Sequence, residues 1–103
     1  MTFEVRPAAQ DDADREMLYY ENLRFGLGAD FIDELADAYR VIQRQPQSFG
    51  RVRSVGSGRE IRQYIMQRFP YSVVYELVPG QIEILAVIHH GRGPRYWLRR
   101  LAP

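Results

Sequence analysis

The sequence predicts an α+β domain: an N-terminal strand, an antiparallel helical hairpin, and then an antiparallel β-meander with the helices packed on one sheet face. Three observations predict it. Apolar residues recur every three or four positions from about residue 9 to 45, then change to alternation from residue 60 onward. Glycine and proline stand at the joints, as Gly26-Leu27-Gly28, Pro46, Pro70 and Pro79-Gly80. A chain of 103 residues has room for one core, so residues 1–103 are read as a single domain.

Thr2-Phe3-Glu4-Val5-Arg6 alternates and stops at Pro7, the pattern of a short half-buried strand. From Ala9 to Phe25, Ala13, Met17, Tyr20 and Leu27 follow helical spacing, and Asp11, Asp12 and Asp14 are expected near the first turn, where the helix dipole favours carboxylates. Asp30 is then expected to cap a second helix, Ala29 to Gln45. Its stripe is Phe31, Leu35, Ala38 and Ile42, and Pro46 ends it. Arg51 to Val55 reads as extended, Gly56-Ser57-Gly58 as a turn or bulge, and Glu60 to Phe69 as a strand. Tyr71 to Val78 and Gln81 to Ile88 form a hairpin around Pro79-Gly80. Pro94 is positioned to start a short helical turn carrying Arg95, Tyr96, Trp97, Arg99 and Arg100.

Composition removes whole classes of function. With no cysteine there is no disulfide framework, thiol catalysis or cysteine–zinc site. All 14 basic residues are arginine, which excludes lysine chemistry. No run approaches the roughly 18–20 apolar residues that span a bilayer. The start, Met1-Thr2-Phe3-Glu4-Val5, lacks a basic stretch followed by an apolar one, so a cytoplasmic location is expected. The formal charge of +1 hides a polarity: residues 1–50 carry five arginines and ten carboxylates, residues 51–103 nine arginines and three carboxylates. A basic half suits an anionic partner, nucleic acid or an acidic peptide.

In the last two strands both alternating sets are apolar: Val73, Tyr75 and Leu77 against Val74 and Val78, and Ile82, Ile84, Ala86 and Ile88 against Leu85 and Val87. Helices on one face leave the other set uncovered, and an apolar strip of that kind marks a docking surface. The alternative is that the C-terminal turn folds back over it with Trp97 and Leu98.

Several local patterns, in order along the chain, resemble the ParE/RelE superfamily of type II toxin–antitoxin modules. They are Tyr19-Tyr20-Glu21 with Gly26-Leu27-Gly28 and Phe31; Arg68-Phe69-Pro70-Tyr71-Ser72-Val73-Val74-Tyr75; and Ile84-Leu85-Ala86-Val87-Ile88-His89-His90-Gly91-Arg92 with Pro94-Arg95-Tyr96-Trp97. The resemblance implies a small toxin silenced by an antitoxin whose C-terminal segment wraps around it. Val74, Val78, Leu85, Val87, Tyr19 and Arg62 are the residues expected to meet that segment. It also implies a target, DNA gyrase for ParE-like members and mRNA in the ribosomal A site for RelE-like ones.

The gyrase reading requires no covalent chemistry; Arg92, Arg95, Tyr96, Trp97 and Arg99 supply the arginine–aromatic mix that anchors interfaces, unless Trp97 only plugs the core. The endonuclease reading needs a base, an acid and cations around the phosphorus. His89, His90, Arg92, Arg95 and Tyr96 are the candidates, with Arg53, Arg59 or Arg62 as phosphate clamps, although the lysines of RelE-like enzymes are missing. His89 and His90 are adjacent at a strand end, so each faces a different side, and no metal or other cofactor is expected. The missing lysines favour the gyrase inhibitor. A third reading is a non-toxic basic module that binds nucleic acid.

Overall fold

The structure, a computed structural model, describes residues 1–52, 58–93 and 95–101, with Arg95 described in its backbone alone. The elements run β1 (Thr2–Val5), α1 (Pro7–Leu23), α2 (Leu27–Arg44), β2 (Glu60–Ile65), β3 (Tyr71–Val78), β4 (Gln81–His89) and a short α3 (Arg95–Leu98) that continues as a 3-10 turn, Arg99–Leu101. The sheet order is β1-β4-β3-β2. The last three strands are the expected antiparallel meander, and β1 joins it parallel to β4, making the sheet mixed.

Both helices begin earlier than their acidic residues suggest. Pro7 occupies the first helical position, where its missing N–H is harmless. Asp11, Asp12 and Asp14 therefore stand beyond the first turn of α1. Asp30 lies in the first turn of α2 and is not its cap. That role falls to Glu21 of the preceding helix, whose carboxylate accepts hydrogen bonds from Gly26 N (3.1 Å) and Gly28 N (3.0 Å). Gly26 holds φ +88°, a left-handed conformation natural to glycine. At Gly28 the helices touch: a Cβ there would lie 2.8 Å from the Met17 carbonyl oxygen. The α2 stripe is buried as its spacing predicts, Phe31, Leu35, Ala38 and Ile42 all facing the sheet. They pack with Tyr71, Val73, Tyr75, Ile82 and Ile84.

Two features depart from strict alternation. The strand expected to run to Phe69 stops at Ile65, because Gln67 N and Arg68 N turn to the Glu34 carboxylate (2.6 and 2.9 Å). In β4, Val74 faces Ala86 while Tyr75 faces Ile84, so Leu85 is an extra, bulged residue. The bulge resets the phase. Ile82, Ile84 and Val87 point to the helices, and Leu85, Ala86 and Ile88 to the other face. Val87 is thereby removed from the set in which strict alternation placed it.

Candidate functional site

The second sheet face is where sequence and structure diverge most. Val74, Leu85, Ala86 and Ile88 are buried there with Ile61 beneath Trp97, while Val52, Tyr96, Leu98 and Leu101 pack around them. The expected open apolar strip is therefore largely closed by the chain's own C-terminal turn. Val74, Leu85 and Val87 are each no more than 3 % exposed, and so is Trp97. Val78 is half-buried and Tyr19 exposed.

A buried ion pair holds this turn down. β1 leaves the sheet at Val5, its last ladder bond being Arg6 N to Ile84 O, so β4 beyond the bulge has no strand on that side. Side chains take the vacant positions: Asp12 accepts from Val87 N at 3.0 Å, and Arg100 donates to Leu85 O at 3.0 Å. Arg100 and Asp12 also join in a two-pronged pair at 2.8 and 2.9 Å. Hydrogen bonding to Asp12 holds the Arg100 guanidinium above its ordinary range. Asp12, read from sequence as a dipole-compensating surface carboxylate, is fully buried and functions as a substitute strand.

What stays uncovered is a groove of about 400 Å³ at one end of this face. Val52, Ile65, Val74, Ile88 and Trp97 give it an apolar lining. Gln63, Ser72, His89, His90 and Arg92 form polar parts of its wall, and among the described residues no carboxylate lines it. The two histidines take different partners, although both border the groove and His89 also borders the adjoining cleft. His90 Nε2 lies 3.1 Å from Ser72 Oγ, and His89 stacks edge-on against Tyr71, 5.2 Å between centroids, its Nδ1 accepting from Gly91 N. A second cleft, of about 250 Å³, is bounded by Glu16, Tyr19, Tyr20, Tyr71, His89 and Arg92. Tyr71 OH donates to Glu16 at 2.6 Å, and burial followed by that bond pushes the phenol far above its ordinary pKa.

The candidate cations separate into engaged and open groups. Arg59 donates two hydrogen bonds to Glu76 at 3.0 and 2.8 Å. Arg62, well buried, bonds the Phe49 carbonyl at 2.6 Å and Glu60 at 2.9 Å. Both are tied into the fold and are not open phosphate clamps; Arg62 is equally unavailable as a peptide contact. Arg92 and Arg99 are exposed, with Arg92 stacked over the Tyr96 ring at 4.4 Å. Tyr96 also lies under Arg100, 5.6 Å away. Arg53, the Gly56-Ser57 part of the expected turn, and the Arg95 side chain lie outside the described residues. Sequence reasoning missed Asp12, Arg100 and Glu21, since nothing local separates Asp12 from Asp11 or Asp14.

Residues 3–94 match the family model described as the ParE toxin of the type II toxin–antitoxin system parDE. Among solved structures, the chain is similar to one titled as a chromosomal ParDE TA system from P. aeruginosa. The TM-score is 0.65 at 19 % identity, covering 86 % of this chain and 95 % of that one, which shows a shared fold. No curated protein matches the sequence significantly. No described helix is long and apolar enough to cross a membrane.

Proposed function

Because the chain belongs to the ParE toxins of type II toxin–antitoxin systems, we propose that it arrests growth from the cytoplasm by poisoning DNA gyrase. A bound antitoxin segment neutralises it. The observation that carries the antitoxin half is the groove between Ile65 and Trp97, an apolar surface with arginine at its rim and, among the described residues, no carboxylate in its lining. An antitoxin segment with apolar anchors and acidic flanks is complementary to it in both shape and charge. Exposed Ile65, with Trp97 forming the floor beside it, is the contact this reading assigns, since Leu85 and Val87 do not line the groove. Tyr19 and Arg92 extend it along the adjoining cleft.

Arg92, Tyr96 and Arg99, with Arg95 beside them in sequence, form the surface proposed to meet gyrase; Trp97 supports it from below and does not touch the target. Arginines on an aromatic base are the residue types that dominate interface energetics.

Induction of the chain without its antitoxin should give filamentous cells with DNA-damage signalling, and co-expression of the antitoxin should restore growth. Rapid arrest of protein synthesis with cleaved transcripts would instead assign the RelE-like endonuclease activity. The single tryptophan, Trp97, lines the groove. Its emission should therefore shift when the antitoxin segment is titrated into the pure toxin, and an unchanged spectrum on a bound complex would place the segment elsewhere.

A further inference from the structure

The floor of the groove is nearly closed, and what solvent reaches is its rim. Val74, Ile88 and Trp97 are buried, whereas Gln63, Ile65, His90 and Arg92 are exposed. The sheet register gathers this rim around a hydroxyl. Ser72 stands opposite Ile65 on one side and Ile88 on the other, the one polar side chain of that row. It is 9 % exposed, and His90 Nε2 meets its Oγ at 3.1 Å. The backbone pins His90 there, His90 N donating to Pro70 O at 2.8 Å. Ser72, Gln63 and Arg92 all carry hydrogen-bond donors, and His90 becomes a second cation when it takes up a proton. Among the described residues no carboxylate pairs with Arg92, whose guanidinium rests on the Tyr96 ring. Glu16, in the adjoining cleft, is engaged by Tyr71 OH and by Arg15 Nε.

We infer that this rim is a carboxylate subsite, filled by an aspartate or glutamate side chain of the antitoxin segment whose aliphatic stem lies on Ile65. The inference rests on the reading of the groove as the antitoxin's seat, and adds which group of the segment is recognised and by what. A guanidinium and an imidazole, with neutral donors from Ser72 and Gln63, match the several lone pairs of a carboxylate and its charge. The carboxylate belongs to a side chain and not to a chain end, because Arg92 and His89 border both groove and cleft and so carry the segment on past this point. A nucleic-acid backbone fits less well. It calls for a track of cations, and Arg59 and Arg62, at the β2 end of the sheet, are bonded to Glu76 and Glu60. Occupancy is coupled to pH. Protonating His90 adds positive charge beside the carboxylate, so binding tightens as pH falls through the range in which histidine titrates, about 5 to 8. The groups around His90 are Ser72 on β3, Gln63 on β2, and His89 and Arg92 at the end of β4 and beyond it, of which Arg92 alone carries a fixed charge. His89 is set apart by its Nδ1, which already accepts from Gly91 N.

The probe is 3-phenylpropionate, with 3-phenylpropionamide as its uncharged counterpart, each titrated into the isotope-labelled toxin and followed by NMR. The acid should bind with a Kd on the order of 1 mM, as suits so small a ligand. It should shift the Gln63 side-chain amide, the Arg92 Nε–H and the Ile65 methyl signals. Its affinity should rise about threefold to tenfold between about pH 8 and pH 6, where its own carboxyl is still ionised. The amide should bind about tenfold more weakly or worse. His90→Gln keeps a partner for Ser72 and should erase the pH dependence, and Arg92→Gln should weaken the acid about tenfold at both pH values. Both side chains are exposed, so the variants should keep the wild-type amide spectrum elsewhere. An amide that binds as well as the acid, pH-independent binding by the wild type, or shifts confined to residues outside the rim would overturn the subsite. An oligothymidylate that displaces the acid from these residues at low salt would overturn the occupant in favour of nucleic acid. If the acid fails to bind while the antitoxin segment still shifts Trp97 emission, the subsite falls and the groove reading stands. If the acid binds as expected but the antitoxin complex leaves Gln63, Ile65 and Arg92 unshifted, the groove reading falls, and with it the occupant named here.

Discussion

Arg100→Met tests the latch that closes the second sheet face. The substitution keeps most of the aliphatic stem and removes three hydrogen bonds, two to Asp12 and one to Leu85 O. Asp12 is left buried with Val87 N and the half-exposed Arg15 as its partners. Breaking a buried pair by deleting one member costs about 3–5 kcal/mol, chiefly because the remaining charge is stranded. Here Arg15 offsets part of that loss, and Arg100 itself is 21 % exposed, which places the expected value near the lower end, about 3 kcal/mol. A domain this size has roughly 5–15 kcal/mol in total. With a urea m-value of about 1–3 kcal/mol/M, the unfolding midpoint should fall by about 1–3 M at unchanged slope. A double-mutant cycle with Asp12→Asn should return a coupling of about 2 kcal/mol. Added salt should change that coupling little, unlike the pair of Arg40 with Asp37, which is exposed on both sides. A midpoint shift under about 0.3 M, or strictly additive single variants, would show that the pair does not hold the C-terminal turn.

Gly28→Ala raises helix propensity by about 1 kcal/mol in isolation, yet it should destabilise this protein by about 1–3 kcal/mol. A Cβ at Gly28 meets the Met17 carbonyl oxygen at 2.8 Å. Thermal melting decides the sign. Trp97→Ala should cost about 3–5 kcal/mol and expose the Val74–Ile88 face to a hydrophobic dye, since the ring is 3 % exposed over a second core. Burial pushes the Tyr75 phenol up to about 12 and raises Tyr39 and Tyr71 further. Their folded pKa values lie above the unfolded value near 10, so the stability they contribute is complete below about pH 10 and is lost as pH rises beyond it. Phenolate absorbance should show these three tyrosines ionising only together with loss of structure. Early titration of all seven would contradict their burial.

The parts of the fold that depend on neighbours in sequence were legible in it. Phe31, Leu35, Ala38 and Ile42 are spaced by four, three and four, and all four are buried. Pro79-Gly80 marks the β3–β4 turn, where Gly80 takes φ +74°. What escaped depends on contacts far along the chain. Asp12 and Arg100 are 88 residues apart, and only β1's early exit from the sheet leaves two orphaned backbone groups for the pair to serve, Val87 N for Asp12 and Leu85 O for Arg100. The bulge at Leu85 has no glycine or proline to announce it, so the alternation that sorted Leu85 with Val87 was carried one residue too far. Trp97 was open to two readings because composition cannot tell a core plug from an interface anchor.

The charge polarity survives folding for a reason the ion pairs themselves supply. Of the pairs that join the halves, Arg100 with Asp12 and Arg68 with Glu34 each lower the imbalance by one charge on either side, and Arg6 with Glu83 raises it by one, so together they change each half by a single charge. Those within a half, Arg59 with Glu76, Arg62 with Glu60 and Arg40 with Asp37, remove equal and opposite charges from the same side. Pairing therefore consumes individual residues but leaves the imbalance, carried by exposed groups such as Asp11, Asp14 and Asp33 on the helices and Arg92 and Arg99 beyond the sheet. The arginines proposed to steer a partner are thus not those that hold the fold. Neutralising Arg92 and Arg99 should slow association with an acidic segment and reduce its salt dependence while leaving the unfolding midpoint unchanged. Neutralising Arg59 should do the reverse, since its partner Glu76 is buried.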